Sequence, residues 1–81
     1  MTSENRRIKL TFTEELIMKP LINEVSQRFP IITNILQANI TDKATTGWVV
    51  LDMSGTVNSL EHALSWLASE GVHVQLMHVL K

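Results

Sequence analysis

The chain has no cysteine and no tyrosine. Without cysteine there is no disulfide, no Cys-type zinc site and no iron–sulfur cluster, and a secreted scaffold stapled by disulfides is not expected. Glycine occurs only at positions 47, 55 and 71, so neither a Walker loop nor a G-x-G-x-x-G turn can be written. No single charge dominates. Seven Lys and Arg face eight Asp and Glu, for a net charge of −1 and a pI near 6.3. That balance argues against nucleic acid as a partner, because nucleic-acid binders carry a basic stripe. Long hydrophobic runs are missing as well: the longest strictly apolar stretch is Trp48–Leu51, far below the ~20 residues that span a bilayer. The N-terminus, Met1 to Arg7, is polar and no apolar segment follows it, so neither a targeting peptide nor direct membrane insertion is expected. A cytoplasmic location is the default.

What remains is the composition of one folded domain. The chain has 81 residues, of which 44% are apolar and 19% charged. It has to bury a core, since no covalent staple helps it. The domain is expected over residues 6–80, with 1–5 as a flexible N-terminus.

Periodicity divides the chain into six elements. From Arg6 to Phe12, Ile8, Leu10 and Phe12 alternate with Arg7, Lys9 and Thr11, the pattern of a strand with one wet face. Pro20 is tolerated at a helix start but not in a helix interior, so a helix is expected from near Pro20 to Phe29, with Leu21, Ile22, Val25 and Phe29 on one stripe. Thr13 to Lys19 is read as its lead-in. Thr33–Thr41 reads as a second strand, with Leu36, Ala38 and Ile40 on the core face under the helices and Ile35, Gln37 and Asn39 on the open face. A polar connection over 42–47 leads to a third strand, Trp48–Ser54. Val57, Leu60, Leu64 and Leu67 define a second helix, with Thr56 as N-cap and Gly71 as the C-terminal stop. Val72–Leu80 is the last strand.

The order β-α-β-β-α-β is that of the ferredoxin-like α+β sandwich, a four-stranded antiparallel sheet with two helices on one face. Asp52 sets the register of the third strand, since an unpaired carboxylate belongs away from the helices. Trp48 and Val50 then share the open face with Asp52. Ile35 and Met77 are placed there too. An apolar cluster of Ile35, Trp48, Val50 and Met77 among polar residues has the character of a partner interface, and a second copy of the chain is the simplest cover.

Several stretches resemble a known family. They are Pro20-Leu21-Ile22-Asn23-Glu24-Val25, then Asn34-Ile35-Leu36-Gln37-Ala38-Asn39-Ile40, then Gly47 to Gly55, and the ending Gly71 to Leu76. Together they resemble the NIL domain, named for an Asn-Ile-Leu tripeptide that is here Asn34-Ile35-Leu36, and the likeness runs over about residues 6–79. The family is best known as the C-terminal regulatory domain of methionine-import ABC ATPases. The resemblance implies an ACT-like, ferredoxin-like fold that pairs with its twin and binds methionine. It also implies an ABC transporter, or a protein of sulfur amino-acid metabolism, as partner. A ligand-binding role falls on Asn34, with Ile35 and Leu36 as apolar wall. No ATPase domain or phosphate loop accompanies these residues, so the chain is either a free-standing member or an excised domain.

The chemistry of Asn34 suits that role: a carboxamide offers two donors and an acceptor without charge. The competing account is an asparagine that satisfies loop backbone at a strand entry. Other candidates are weaker. His62, His73 and His78 do not share a face, so no metal site is expected. No nucleophile–base–orienter spacing can be argued, so neither a catalytic residue nor a cofactor is expected. Trp66 lies off the apolar stripe of its helix and is expected to lie along the helix edge, half covered. The alternative to a sensor is a ligand-free module that docks on another protein through the open sheet face or a sheet edge.

Overall fold

The structure, a computed structural model, describes residues 3–17, 19–39 and 46–77. The elements are β1 (Ser3–Thr13), α1 (Glu14–Ile17), α2 (Leu21–Arg28), β2 (Ile32–Asn39), β3 (Thr46–Thr56), α3 (Val57–Ser69) and β4 (His73–Met77). The four strands form one sheet in the order β2-β3-β1-β4, and every neighbouring pair is antiparallel. This is the ferredoxin-like topology.

The core follows from alternation. Ile8, Leu10 and Phe12 of β1 and Val49, Leu51 and Met53 of β3 point to the same side and are buried. Leu21 and Val25 of α2 and Leu60, Ala63 and Leu67 of α3 close over them. A fully buried side chain of this size contributes ~1.5–3 kcal/mol by leaving water, so these two strands and two helices carry most of the stability.

Local signals explain the helix boundaries. Pro20 occupies the N-cap of α2, one position outside the helix, and its carbonyl accepts the first helical bond, from the Glu24 N–H at 2.9 Å. Phe29 closes α2 in an extended conformation, before Pro30. Thr56 caps α3: its Oγ1 accepts from the Ser59 N–H at 3.2 Å. At the other end Gly71 takes φ +97°, a left-handed conformation that glycine adopts without steric cost. The Gly71 N–H then donates to the Ala68 carbonyl at 3.0 Å and the Val72 N–H to the Leu67 carbonyl at 3.1 Å. That pair of bonds is a Schellman closure, and buried Val72 and Leu67 form its apolar contact.

Three expectations need correction. β1 begins at Ser3, because Ser3, Glu4 and Asn5 pair with Thr56, Gly55 and Ser54 of β3; the stretch expected to be flexible is strand from Ser3 onward. Part of the lead-in expected over 13–19 is a single helical turn, α1, whose Leu16 joins the core. The last strand starts one residue late, at His73, and Leu76 is 60% exposed although it lies on the helix side beside Ile8. The helix layer covers the two central strands and the core reaches Val74 of β4, but Leu76 lies beyond that cover. Ile40 of the expected core lies outside the described residues, as do the connection residues 42–45, His78 and the expected strand end over 78–80.

Candidate functional site

The Asn34-Ile35-Leu36 tripeptide sits on β2, which is hydrogen-bonded to β3 on one side and forms an edge of the sheet on the other. Every residue of β2 except Thr33 is exposed. Edge strands present unpaired N–H and C=O groups and are usually protected by charge or cover. This one carries no charged residue. Instead it exposes Ile32 at 73%, Ile35 at 53% and Leu36 at 45%.

A register shift between Ile35 and Gln37 rearranges the expected faces. Leu36 is the extra residue, and a bulge of this kind swaps the alternation across it. Before it, Ile32 and Asn34 lie beside Ser54 and Asp52 on the open face, while Ile35 lies beside buried Leu51 on the helix side. After it, Gln37 and Asn39 lie on the open face beside Val50 and Trp48, and Ala38 lies on the helix side beside Val49. Ile35 is therefore not on the open face, contrary to expectation, and Leu36 is not in the core. Ala38 faces the helices as expected but stays exposed, because neither helix reaches over the edge strand.

The rest of the expected interface cluster is divided. Trp48 and Met77 lie on the open face as expected, in register with Thr11 and Arg7. The Trp48 ring is half-buried, with the Lys9 ammonium 5.1 Å from its centroid, a cation–π contact. Val50 also faces that way, yet it is only 8% exposed. It stands between Lys9 and Gln37 in register. Among the described residues, the apolar side chains that the open face leaves exposed or half-buried are thus Ile32, Trp48 and Met77.

Across the sheet, Asn34 is in register with Asp52, Asp52 with Arg7 and Arg7 with Met77. Asp52 and Arg7 form a two-point ion pair: Nε donates to Oδ1 at 2.9 Å and Nη2 to Oδ2 at 3.3 Å. Hydrogen bonds from Arg7, opposed by partial desolvation and aided by the Arg7 charge and a hydrogen bond from the Asn5 side chain, hold the Asp52 carboxyl below the usual carboxylate range. The same bonds raise the Arg7 guanidinium further. Ser54 donates to Asn5 Oδ1 at 3.1 Å one step along the same face. Sequence reasoning put Arg7 and Asp52 on the wet face but did not bring them together, since that depends on the register of strands 45 residues apart in the chain.

A separate cavity of about 140 Å³ opens at the other end of the sheet, between Phe12, Leu16, Lys19, Pro20 and Ile22. Phe12 is five positions along β1 from Arg7, roughly 17 Å at the usual strand rise, so the cavity is not part of the Asn34 row. On the helix layer Trp66 is half-buried, edge-on to Phe29 at 6.4 Å and with the Arg28 guanidinium 5.1 Å from its ring centroid. That matches the half-covered placement expected for it. His62 and His73 are exposed.

Fold and site together define a small ferredoxin-like α+β domain with an amide-bearing, uncovered sheet edge. The chain belongs to the NIL domain family, whose model matches residues 6–76. It is 32% identical over 74 residues to the methionine import ATP-binding protein MetN of Helicobacter hepaticus, covering 89% of this chain and 21% of that protein. It is 28% identical over 72 residues to the MetN protein of Escherichia coli K12, covering 86% of this chain and 21% of that protein. The chain thus spans about a fifth of the length of these relatives. Among solved structures, it is similar to the C-terminal domain of an ABC transporter ATP-binding protein from Enterococcus faecalis, with a TM-score of 0.78 at 21% identity, covering 93% of this chain and 86% of that one. A designed protein, Foldit4, shares the fold at a TM-score of 0.61 and 10% identity, covering 99% of each chain.

Proposed function

We propose that this domain is a cytoplasmic regulatory sensor that binds methionine or a related amino acid at or beside a homodimer interface. One observation carries the reading: Asn34, Ile35 and Leu36 are all exposed on an edge strand that carries no charge. A second copy paired along β2 would continue the sheet and cover Ile32, Ile35 and Leu36, as edge-strand addition does. Asn34 would then lie at the seam, its carboxamide able to donate to a carboxylate and accept from an ammonium. Membership in the NIL family, and the methionine import proteins among its relatives, point to methionine and to an ABC ATPase as the partner that reads the signal. Ligand held between two protomers favours one relative arrangement, and the partner responds to that shift in population. The role is regulatory, with no catalytic residue assigned.

Calorimetric titration with a panel of amino acids, with sedimentation in parallel, tests the reading. Heat and a raised Tm with L-methionine, both abolished in Asn34→Ala, are expected. No heat and no Tm increase at millimolar methionine would overturn it. The half-buried Trp48 beside Lys9 favours a second reading, a ligand-free docking module. In that case Trp48→Ala weakens capture of a partner while Asn34→Ala has little effect.

A further inference from the structure

Resting on the amino-acid-sensor reading above, we propose that the Arg7–Asp52 pair is the charged half of the ligand site, a counter-dipole that receives the ammonium and carboxylate of an α-amino acid beside Asn34. The row Asn34, Asp52, Arg7 runs across three adjacent strands on the open face, with strands about 4.8 Å apart. It therefore offers a carboxamide, an anion and a cation in sequence within one ligand's reach.

Both members of the pair keep hydrogen-bonding capacity beyond the bonds they make to each other. Arg7 has five N–H donors in a planar fork, and Asp52 engages Nε and one N–H of Nη2. The end-on edge of the guanidinium, formed by Nη1 and the second N–H of Nη2, points elsewhere and matches a carboxylate two-fold. Asp52 accepts from Arg7 at both oxygens and also takes a hydrogen bond from the Asn5 side chain; a carboxylate has about four lone-pair sites, so accepting capacity remains. Nη2 and Oδ2, 3.3 Å apart, thus set a donor and an acceptor side by side on the open sheet face, where the Arg7 side chain is 34% and the Asp52 side chain 17% exposed. In an α-amino acid the ammonium and carboxylate are separated by a single carbon. They can lie there antiparallel to the protein's own pair, ammonium on Oδ2 and carboxylate on the Nη edge. The ion pair need not break, and no charge is left uncompensated. Asn34, in register with Asp52, lies on the ammonium side, where its carbonyl oxygen can accept. Exposed Ile32 and Met77 flank the row and favour an apolar side chain on the ligand over a charged one.

The test is calorimetric titration of the full chain with three probes: L-methionine, L-methionine amide (no carboxylate) and N-acetyl-L-methionine (no ammonium). Each altered probe should bind at least about tenfold more weakly, the loss expected when a charge-assisted hydrogen bond goes unmade. Asp52→Asn and Arg7→Gln should each weaken L-methionine by a similar factor, with circular dichroism confirming the fold. The exchange R7D/D52R restores an ion pair and the Tm but reverses the dipole relative to Asn34, so it should not restore binding; a merely structural pair would be rescued by it. Binding of methionine that survives both altered probes, or its recovery in the exchange variant, overturns this inference and leaves the sensor reading standing. Absence of methionine heat in the unaltered chain overturns the sensor reading and this inference with it.

Discussion

β3 and β2 are neighbours in one sheet, and they are built on opposite terms. β3 is hydrogen-bonded on both sides, and its Val49, Leu51 and Met53 are buried under the helices. β2 is bonded on one side, interrupted by a bulge at Leu36, and exposed almost throughout. Both strands are rich in apolar residues, so composition does not separate them. Coverage does: the helices lie over the centre of the sheet and stop short of its edge. Apolar side chains on β3 contribute to folding, while those on β2 add little to the isolated domain, which leaves them available for contact with something outside it.

The largest test of that contrast is Leu51→Ala. It should lower stability by about 2–5 kcal/mol in chemical denaturation, as large-to-small core changes do. A value below ~1 kcal/mol would mean that the helix layer is poorly packed. Next comes Gly71→Ala, at a left-handed φ of +97° with Leu16 Cδ1 3.4 Å from the added methyl. It should cost about 1–2 kcal/mol from the backbone conformation, read as a lowered Tm. An unchanged Tm would argue against the Schellman closure of α3.

A smaller effect concerns pH. Asp52 has its folded-state pKa depressed by Arg7, so the pair's stabilisation is present above the ordinary carboxylate pKa of about 3.9 and is lost as pH falls through the lower folded value. Tm measured from neutral pH into the acid range should fall more steeply in the parent than in Asp52→Asn; equal slopes would remove the pair from the account. The smallest effect is expected at Ile35→Ala. This residue is the register partner of Leu51, yet the change should stay within about 0.5 kcal/mol in the monomer. A loss comparable to that of Leu51→Ala would erase the distinction between the two strands. Loss of the proposed β2-paired dimer without a loss of monomer stability would sharpen it.

Much of this architecture is legible before any coordinates. Alternation in β1 and β3 assigns their buried sides, and Asp52 orients β3 because a carboxylate under two helices is too costly. Thr56 and Gly71 bracket α3 by capping chemistry. The tripeptide at Asn34 draws attention to β2 through family resemblance. The bulge is not legible. Thr33 to Asn39 mixes apolar and polar residues without a strong period, so nothing local says that Leu36 is supernumerary, and one extra residue is enough to move Ile35 to the opposite face. Exposure of Leu76 and Ala38 is hidden for another reason: their faces follow from pattern, but burial depends on how far the helices extend sideways. Contact between Arg7 and Asp52 needs register across two distant strands, which only the assembled sheet supplies.

The two tryptophans have a practical consequence. Trp66 lies against Phe29 and Arg28 in the helix layer, and Trp48 lies on the open face beneath Lys9. The molecule therefore carries one intrinsic fluorophore on each side of its sheet. Replacing either with phenylalanine leaves a single emitter, so that Trp66 emission follows helix docking during unfolding while Trp48 emission and its quenching follow occupancy of the opposite surface.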